Sequence, residues 1–144
     1  MESHSSIRKD KLMQKISLIN IPKVHDHRGS LAVVENDTIP FSIKRIYYLY
    51  DVPSDSYRGG HAHKEQESVI IALSGSFEVI TNDGINEKRT LLNKPNMGLY
   101  ISTNVWREIE NFSSGAVCLV LASTEFNEAE YIRDYEEFKL FVGR

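Results

Sequence analysis

Short runs of alternating apolar and polar residues follow one another along most of the chain and predict β-strands separated by tight turns. Turn-forming residues occupy the breaks, as at Ser74-Gly75 and Asn82-Asp83-Gly84. The predicted strands are Ile16–Ile21, Ser30–Glu35, Ile43–Tyr50, Ser68–Leu73, Phe77–Thr81, Lys88–Leu92, Gly98–Ile101 and Val117–Ala122. Many short strands at regular spacing indicate an all-β sandwich or closed barrel.

The C-terminal segment has a different period and predicts a helix. Asn127 and Glu130, three positions later, match a capping box at its start. The apolar positions then recur every three or four residues: Tyr131, Ile132, Tyr135, Phe138 and Phe141. We interpret this stripe as packing against the core or a second subunit. Residues 1–15 are polar and predict a flexible tail, so that residues 16–144 form one domain.

Two predicted strands are apolar on both faces. In Ser68–Leu73 and Val117–Ala122 the side chains on either face are almost all hydrophobic. A strand of a small antiparallel domain normally exposes one face to water. Cover by a second copy of the chain is the simplest explanation, so we predict a homodimer.

Composition limits the partners and the compartment. The 144 residues are 41% hydrophobic and 26% charged, with a net charge of −3. No basic run or long apolar stretch indicates nucleic-acid or membrane binding. The single cysteine, Cys118, lies in an apolar run and is predicted to be a buried hydrophobe, not a nucleophile. The first residues lack the apolar core of a signal peptide, so the cytoplasm is the expected compartment.

The segment Arg58-Gly59-Gly60-His61-Ala62-His63 carries the strongest chemical signal. If it is extended, alternation places His61, His63 and Glu67 on one face and Ala62 on the other. Buried imidazoles need hydrogen-bond partners, so a pair that projects into a barrel indicates a functional site. The alternative is two partly exposed surface histidines.

The pattern His-x-His-(x)3-Glu, followed by Gly75, resembles the first motif of the cupin superfamily of jelly-roll barrels. The resemblance implies that His61, His63 and Glu67 occupy positions that bind a divalent metal in many cupins. Arg107 stands where the second motif would supply a fourth, histidine ligand. A guanidinium has no lone pair and repels a dication, so we predict that the protein uses no metal. A three-ligand metal site is the alternative.

The predicted strand Ile43–Tyr50 adds a cation and a phenol. Arg45 and Tyr47 share one of its faces, while Tyr48 and Tyr50 share the other. A phenol can pass a proton between oxygens, and a guanidinium can hold a phosphate with two hydrogen bonds. The alternative is that the tyrosines only pack across strands.

Five segments, taken together, resemble the cupin-type sugar 3,4-ketoisomerases. They are HRGSL, PFSIKRIYYLYDV, RGGHAHK, NMGLYISTNVWREIENF and VLASTEFNEAEYIRDYEEF, and the match runs from about residue 16 to residue 142. The resemblance implies a cofactor-free dimeric enzyme that moves the ketone of dTDP-4-keto-6-deoxyglucose from C4 to C3. It further implies a place in the synthesis of 3-amino-3,6-dideoxy sugars for surface polysaccharides such as O-antigens and S-layer glycans.

The resemblance also implies roles for individual residues. His61 is expected to be the base that removes the C3 proton, while His63 and Tyr47 exchange protons with the two oxygens. The substrate-binding candidates are Arg28, Arg45, Arg58 and Arg107. Alternatives to this function are a metal-dependent cupin enzyme, a dTDP-sugar 3,5-epimerase and a sugar-sensing cupin without catalytic activity.

Overall fold

The computed structural model describes Leu12 and residues 14–143, which form two antiparallel five-stranded sheets and a separate hairpin. The strands are β1 (Ile16–Asn20), β2 (Lys23–Asp26), β3 (Gly29–Ala32), β4 (Arg45–Leu49), β5 (Arg58–His63), β6 (Ser68–Ser74), β7 (Phe77–Asn82), β8 (Glu87–Leu92), β9 (Met97–Ile101), β10 (Trp106–Glu110), β11 (Val117–Ala122) and β12 (Tyr131–Ile132). The first sheet has the order β1-β9-β6-β11-β4 and the second β12-β5-β10-β7-β8. Strands β2 and β3 form the hairpin. The predicted all-β barrel is confirmed.

The main core lies between the two sheets. Alternate residues of each strand face inward, so that Ile70, Val79, Leu99 and Val120 pack together with Phe77. Burial of each such side chain stabilises the fold by about 1.5–3 kcal/mol. Cys118 is fully buried in this core, as predicted.

Part of the outer face of the first sheet, on strand β6, is covered by the chain itself. Val69 and Ile71, on the outer face of β6, pack against Ile21 and Ile39 from the segments that follow β1 and β3. The prediction that a second subunit covers the outer face of β6 was therefore wrong. Intrachain segments far away in sequence supply the cover, which alternation along β6 alone does not reveal.

The C-terminal segment is not one continuous helix. A 3₁₀ turn (Glu128–Glu130) leads into β12, and helix α1 begins only at Tyr135 and ends at Phe141. The break has a local cause, because the Asp134 side chain accepts a hydrogen bond from Glu137 N and so starts a new helix. Buried Phe138 of α1 packs against Ala62 and Trp106 on the outer face of the second sheet.

Strands β2, β5, β10 and β12 were not among the predicted strands, and β3 ends earlier than the predicted strand Ser30–Glu35. The predicted tail, residues 1–15, lies mostly outside the described residues, although Leu12 is buried in the main core. Within the described part of the chain, no helix is long and apolar enough to cross a membrane.

Candidate active site

His61 and His63 lie on the inner face of β5 and contact each other. Their Nε2 atoms are 3.1 Å apart and their rings are nearly perpendicular. Ala62 between them faces outward and is covered by α1. The predicted alternation is thus confirmed, and the histidine pair projects into the barrel.

A buried carboxylate that the sequence did not indicate as a site residue lies behind His63. Glu130 Oε1 is 2.6 Å from His63 Nδ1, and both side chains are almost completely buried. The capping-box prediction holds only in part: Asn127 accepts a hydrogen bond from Ala129 N at the start of the 3₁₀ turn, but Glu130 points to the histidine. The pairing of Tyr131 with His63 places Glu130 beside the end of β5.

Glu67 does not join the histidines, so the predicted His61–His63–Glu67 face is wrong. Strand β5 ends at His63 and the chain bends through Lys64 and Glu65, which shifts the inward position to Gln66. The Glu67 carboxylate instead accepts a hydrogen bond from the Tyr100 hydroxyl, a side chain packed on the outer cluster of the first sheet. Among the described residues, no group of three His, Cys, Asp or Glu side chains is arranged to hold a metal ion.

Arg107 is a buried cation directly opposite His61. The two residues pair across β10 and β5, so their side chains share the inner face. The guanidinium donates to Ser68 Oγ and to the carbonyl of Val105, both at 3.2 Å, while its Nε has no hydrogen-bond partner among the described residues. Burial lowers the pKa of Arg107 to about 10, so it remains charged at neutral pH.

The same surroundings keep His63 uncharged. Burial lowers the pKa of His63 well below its usual range, and the nearby charge of Arg107 acts in the same direction. A neutral imidazole carries its proton on one nitrogen only, so its hydrogen-bond partners decide which nitrogen donates.

Arg45 and Tyr47 reach the site from the inner face of β4. Arg45 donates to Gln66 Oε1 at 2.7 Å and to the Tyr131 hydroxyl at 3.1 Å, and its guanidinium carbon lies 5.0 Å from the centre of the Tyr47 ring. Burial raises the pKa of Tyr47, so its phenol stays protonated and able to donate.

A cavity in two parts connects these groups to the surface. The outer part, about 400 Å³, is lined by His61, Phe126, Tyr131 and the cations Arg45, Arg58 and Arg133. The inner part, about 110 Å³, is lined by Tyr47, Arg58, His61 and Arg107 together with apolar core residues. Because His61, Tyr47 and Arg58 line both parts, a ligand with an anionic end at the mouth would place its other end beside the histidine.

Arg28 is the one predicted substrate-binding residue that the structure does not bring to this cavity within a single chain. It lies at the turn of the β2–β3 hairpin and forms an ion pair with Asp26 at 2.7 Å. The Arg28 side chain is 79% exposed. Arg133, which lines the mouth and pairs with Glu128, was not predicted.

These features define a barrel protein with an internal pair of histidines and a cationic mouth. The family model described as "FdtA: WxcM-like, C-terminal" matches residues 14–143, and the chain belongs to this family. A curated relative is the TDP-4-oxo-6-deoxy-alpha-D-glucose-3,4-oxoisomerase of Aneurinibacillus thermoaerophilus. It is 46% identical over 128 residues, which are 88% of this chain and 92% of that protein.

The chain is also similar to solved structures of 3,4-ketoisomerases. A 3,4-ketoisomerase from Helicobacter canadensis is 54% identical with a TM-score of 0.87, over 90% of this chain and 98% of that one. A mutant of the 3,4-ketoisomerase QdtA from Thermoanaerobacterium thermosaccharolyticum, in complex with TDP-4-keto-6-deoxyglucose, is 40% identical with a TM-score of 0.87, over 89% of this chain and 94% of that one. A 3'-monoepimerase from Streptomyces bikiniensis shares only 14% identity at a TM-score of 0.72, which shows a likeness of fold alone.

Proposed function

We propose that this protein is a sugar 3,4-ketoisomerase that converts dTDP-4-keto-6-deoxyglucose to a dTDP-3-keto-6-deoxyhexose. The observation that carries the proposal is the pairing of His61 with Arg107 across β5 and β10, inside a cavity whose mouth is cationic. The high identity to 3,4-ketoisomerases over nearly the whole chain supports it.

The reaction requires only proton transfers. The C3 hydrogen is acidified by the neighbouring C4 carbonyl, so a base can remove it and leave an enediolate. Transfer of the C3 hydroxyl proton to the C4 oxygen, together with reprotonation at the C4 carbon, then gives the 3-ketone. Substrate and product have the same overall oxidation state, so the balance needs no redox cofactor.

Each group of the site has a matching task. His61, at the junction of the two cavity parts, removes the C3 proton. Arg107, a fixed cation in a water-poor interior, stabilises the enediolate oxygen, where a preorganised charge acts most strongly. Tyr47 keeps its phenolic proton and donates it to an oxygen. His63, held neutral, contacts His61 Nε2 through its own Nε2 and supports His61.

The mouth suits the nucleotide diphosphate. Arg45, Arg58 and Arg133 surround it, and guanidinium groups bind phosphate oxygens with two hydrogen bonds. Phe126 is 61% exposed at the same place and offers a ring on which a base can stack. Arg28 stays a predicted substrate contact, and within one chain it lies outside this mouth.

The dimer is also a proposal. An apolar outer patch on the first sheet, formed by Ile46, Tyr48, Leu73 and Leu119, continues the covered outer cluster. Ile46 and Tyr48 are 57% and 59% exposed, and β4, paired with β11, is the edge strand of this sheet. Such a patch on an edge strand favours association with another copy. We also propose a cytoplasmic location, and the family resemblance supports a role in surface polysaccharide synthesis.

The test is product NMR after incubation with dTDP-4-keto-6-deoxyglucose. The proposal predicts that the ketone signal moves from C4 to C3. Epimerisation at C5 with the ketone still at C4 would instead show a 3,5-epimerase. Recovery of unchanged substrate at high enzyme concentration would contradict catalysis on this compound.

A further inference from the structure

Glu130 is a buried carboxylate in the site to which the mechanism above assigns no task. We propose that Glu130 is a positioning residue that holds His63 as the Nδ1–H tautomer, so that His63 Nε2 accepts a hydrogen bond from His61. The inference about catalysis rests on the proposed ketoisomerase function. The inference about the tautomer rests on geometry alone.

The contact between Glu130 and His63 determines which ring nitrogen of His63 carries the proton. Its Oε1 lies 2.6 Å from His63 Nδ1, and an ionised carboxylate can only accept. His63 Nδ1 must therefore carry the proton, and Nε2 of a neutral ring is left with its lone pair. That lone pair faces His61 Nε2 at 3.1 Å, so His61 is the donor in this contact.

The Gln66 side chain, on the Nε2 side of the His63 ring, indicates the same tautomer. Arg45 donates to Gln66 Oε1 at 2.7 Å, and a guanidinium cannot accept. The Gln66 oxygen is thereby fixed toward Arg45, which turns its amide nitrogen toward His63 Nε2 at 3.4 Å and Ser68 Oγ at 2.9 Å. An amide NH₂ can only donate, so His63 Nε2 must be an acceptor.

The carboxylate is held in place by backbone contacts. The Glu130 carbonyl accepts from Lys64 N at 2.9 Å, and Oε2 accepts from Glu65 N at 3.3 Å. Together with the pairing of Tyr131 and His63, these bonds fix the 3₁₀ turn against the end of β5. The carboxylate therefore cannot follow the ring if the ring turns.

The arrangement has a consequence for the reaction. When His61 takes a proton from carbon it becomes an imidazolium, and its Nε2–H then points at the His63 lone pair. The hydrogen bond becomes charge-assisted at that moment and is stronger than in the resting state. In the opposite tautomer, the Nε2–H of His63 would face the Nε2–H of the charged His61. The repulsion between them would oppose protonation of His61.

Glu130→Gln separates this role from a structural one. It is close in size, but an amide that keeps an oxygen on Glu65 N turns its NH₂ toward His63 Nδ1 and favours the wrong tautomer. We expect kcat to fall by about 10²–10⁴-fold, the range seen when a base is lost or its tautomer reversed. The KM and dTDP binding should stay within about threefold, because Glu130 touches no ligand-facing group at the mouth. Glu130→Asp keeps the anion and should recover at least about tenfold of the lost kcat.

Glu137→Gln is the matched control. Glu137 is an exposed glutamate in the first turn of α1, and its substitution makes the same charge change on the opposite side of the second sheet. Its kcat should remain within about twofold of wild type. Thermal unfolding of all variants checks that each is folded.

Nitrogen-15 NMR of labelled histidine gives the readout that does not depend on activity. The wild-type spectrum should show His63 protonated on Nδ1, and Glu130→Gln should show the proton moved to Nε2. A wild-type His63 protonated on Nε2 would overturn the proposal even if Glu130→Gln fails to fold, as would a folded Glu130→Gln with near-native kcat. A wild type with the expected tautomer but no ketoisomerase activity would instead reject the proposed function and keep the assignment of the tautomer.

Discussion

Replacement of Arg107 by methionine should make the protein more stable and nearly inactive. Burial lowers the pKa of Arg107 from 12.5 to about 10, which corresponds to a cost of roughly 3 kcal/mol for the charged form inside the fold. Because the folded-state pKa lies below the unfolded one, this cost is fully present at every pH below about 10. Methionine is shorter, but it keeps an unbranched apolar side chain and removes the charge. Ser68 Oγ still accepts a hydrogen bond from Gln66 in this variant. The Val105 carbonyl loses its hydrogen bond from Arg107, which lowers the free energy of unfolding by about 1 kcal/mol.

The net expectation for Arg107→Met is a gain of about 2 kcal/mol in the free energy of unfolding. For a chain of this length that gain raises Tm by roughly 4–8 °C. The kcat should fall by about 10²–10³-fold, because the enediolate loses its preorganised cation. Thermal and urea unfolding at pH 7, with turnover followed by NMR, measure both effects on the same preparation.

Arg89→Met is the control for the loss of one arginine. Arg89 is 45% exposed and pairs with Glu78 and Glu110 on the surface. Its loss should change the unfolding free energy by no more than about 1 kcal/mol and leave kcat unchanged. A destabilised Arg107→Met with near-native turnover would refute the argument, since it would make Arg107 a structural residue.

The remaining predictions concern the other groups of the site, the metal and the dimer. His61→Asn should lower kcat by at least about 10²-fold with little change in dTDP affinity by calorimetry, and near-native turnover would place the base elsewhere. Tyr47→Phe should slow turnover without lowering Tm, whereas a wild-type rate would leave Tyr47 a packing residue. Exhaustive chelation should leave turnover intact, and a loss restored by a divalent ion would contradict the metal-free mechanism. Light scattering at micromolar concentration should show a dimer that Tyr48→Lys converts to monomer, because the lysine adds charge at the apolar outer patch; a wild-type monomer would oppose this.

Alternation along single strands explains what the sequence could predict. The inward direction of His61 and His63, with Ala62 on the opposite face, follows from the two-residue period of a strand. The same rule wrongly placed Glu67 beside the histidines. The chain bends at Lys64 and Glu65, so Gln66 points into the barrel instead.

Contacts between distant segments account for what the sequence could not predict. Glu130 carries an ordinary helix-capping signal, and only the pairing of β12 with β5 shows that its side chain meets His63. Likewise, nothing in β6 itself reveals that Ile21 and Ile39 cover its outer face. Tyr131 and Ile132 belong to a stripe with helical spacing, yet they form a strand because they pair with the edge of β5.

The measurement that tests the central claim most directly is the fate of solvent deuterium during turnover. Incubation with dTDP-4-keto-6-deoxyglucose in deuterated water, followed by proton NMR of the product, reports whether the hydrogen moves as a proton. Removal of the C3 proton by His61, in a cavity open to solvent, predicts a 3-keto product with deuterium at C4 and none at C5. A 3-keto product without any deuterium at C4 would mean that the C3 hydrogen reaches C4 without exchange, and it would contradict proton transfer through an enediolate in a site open to solvent.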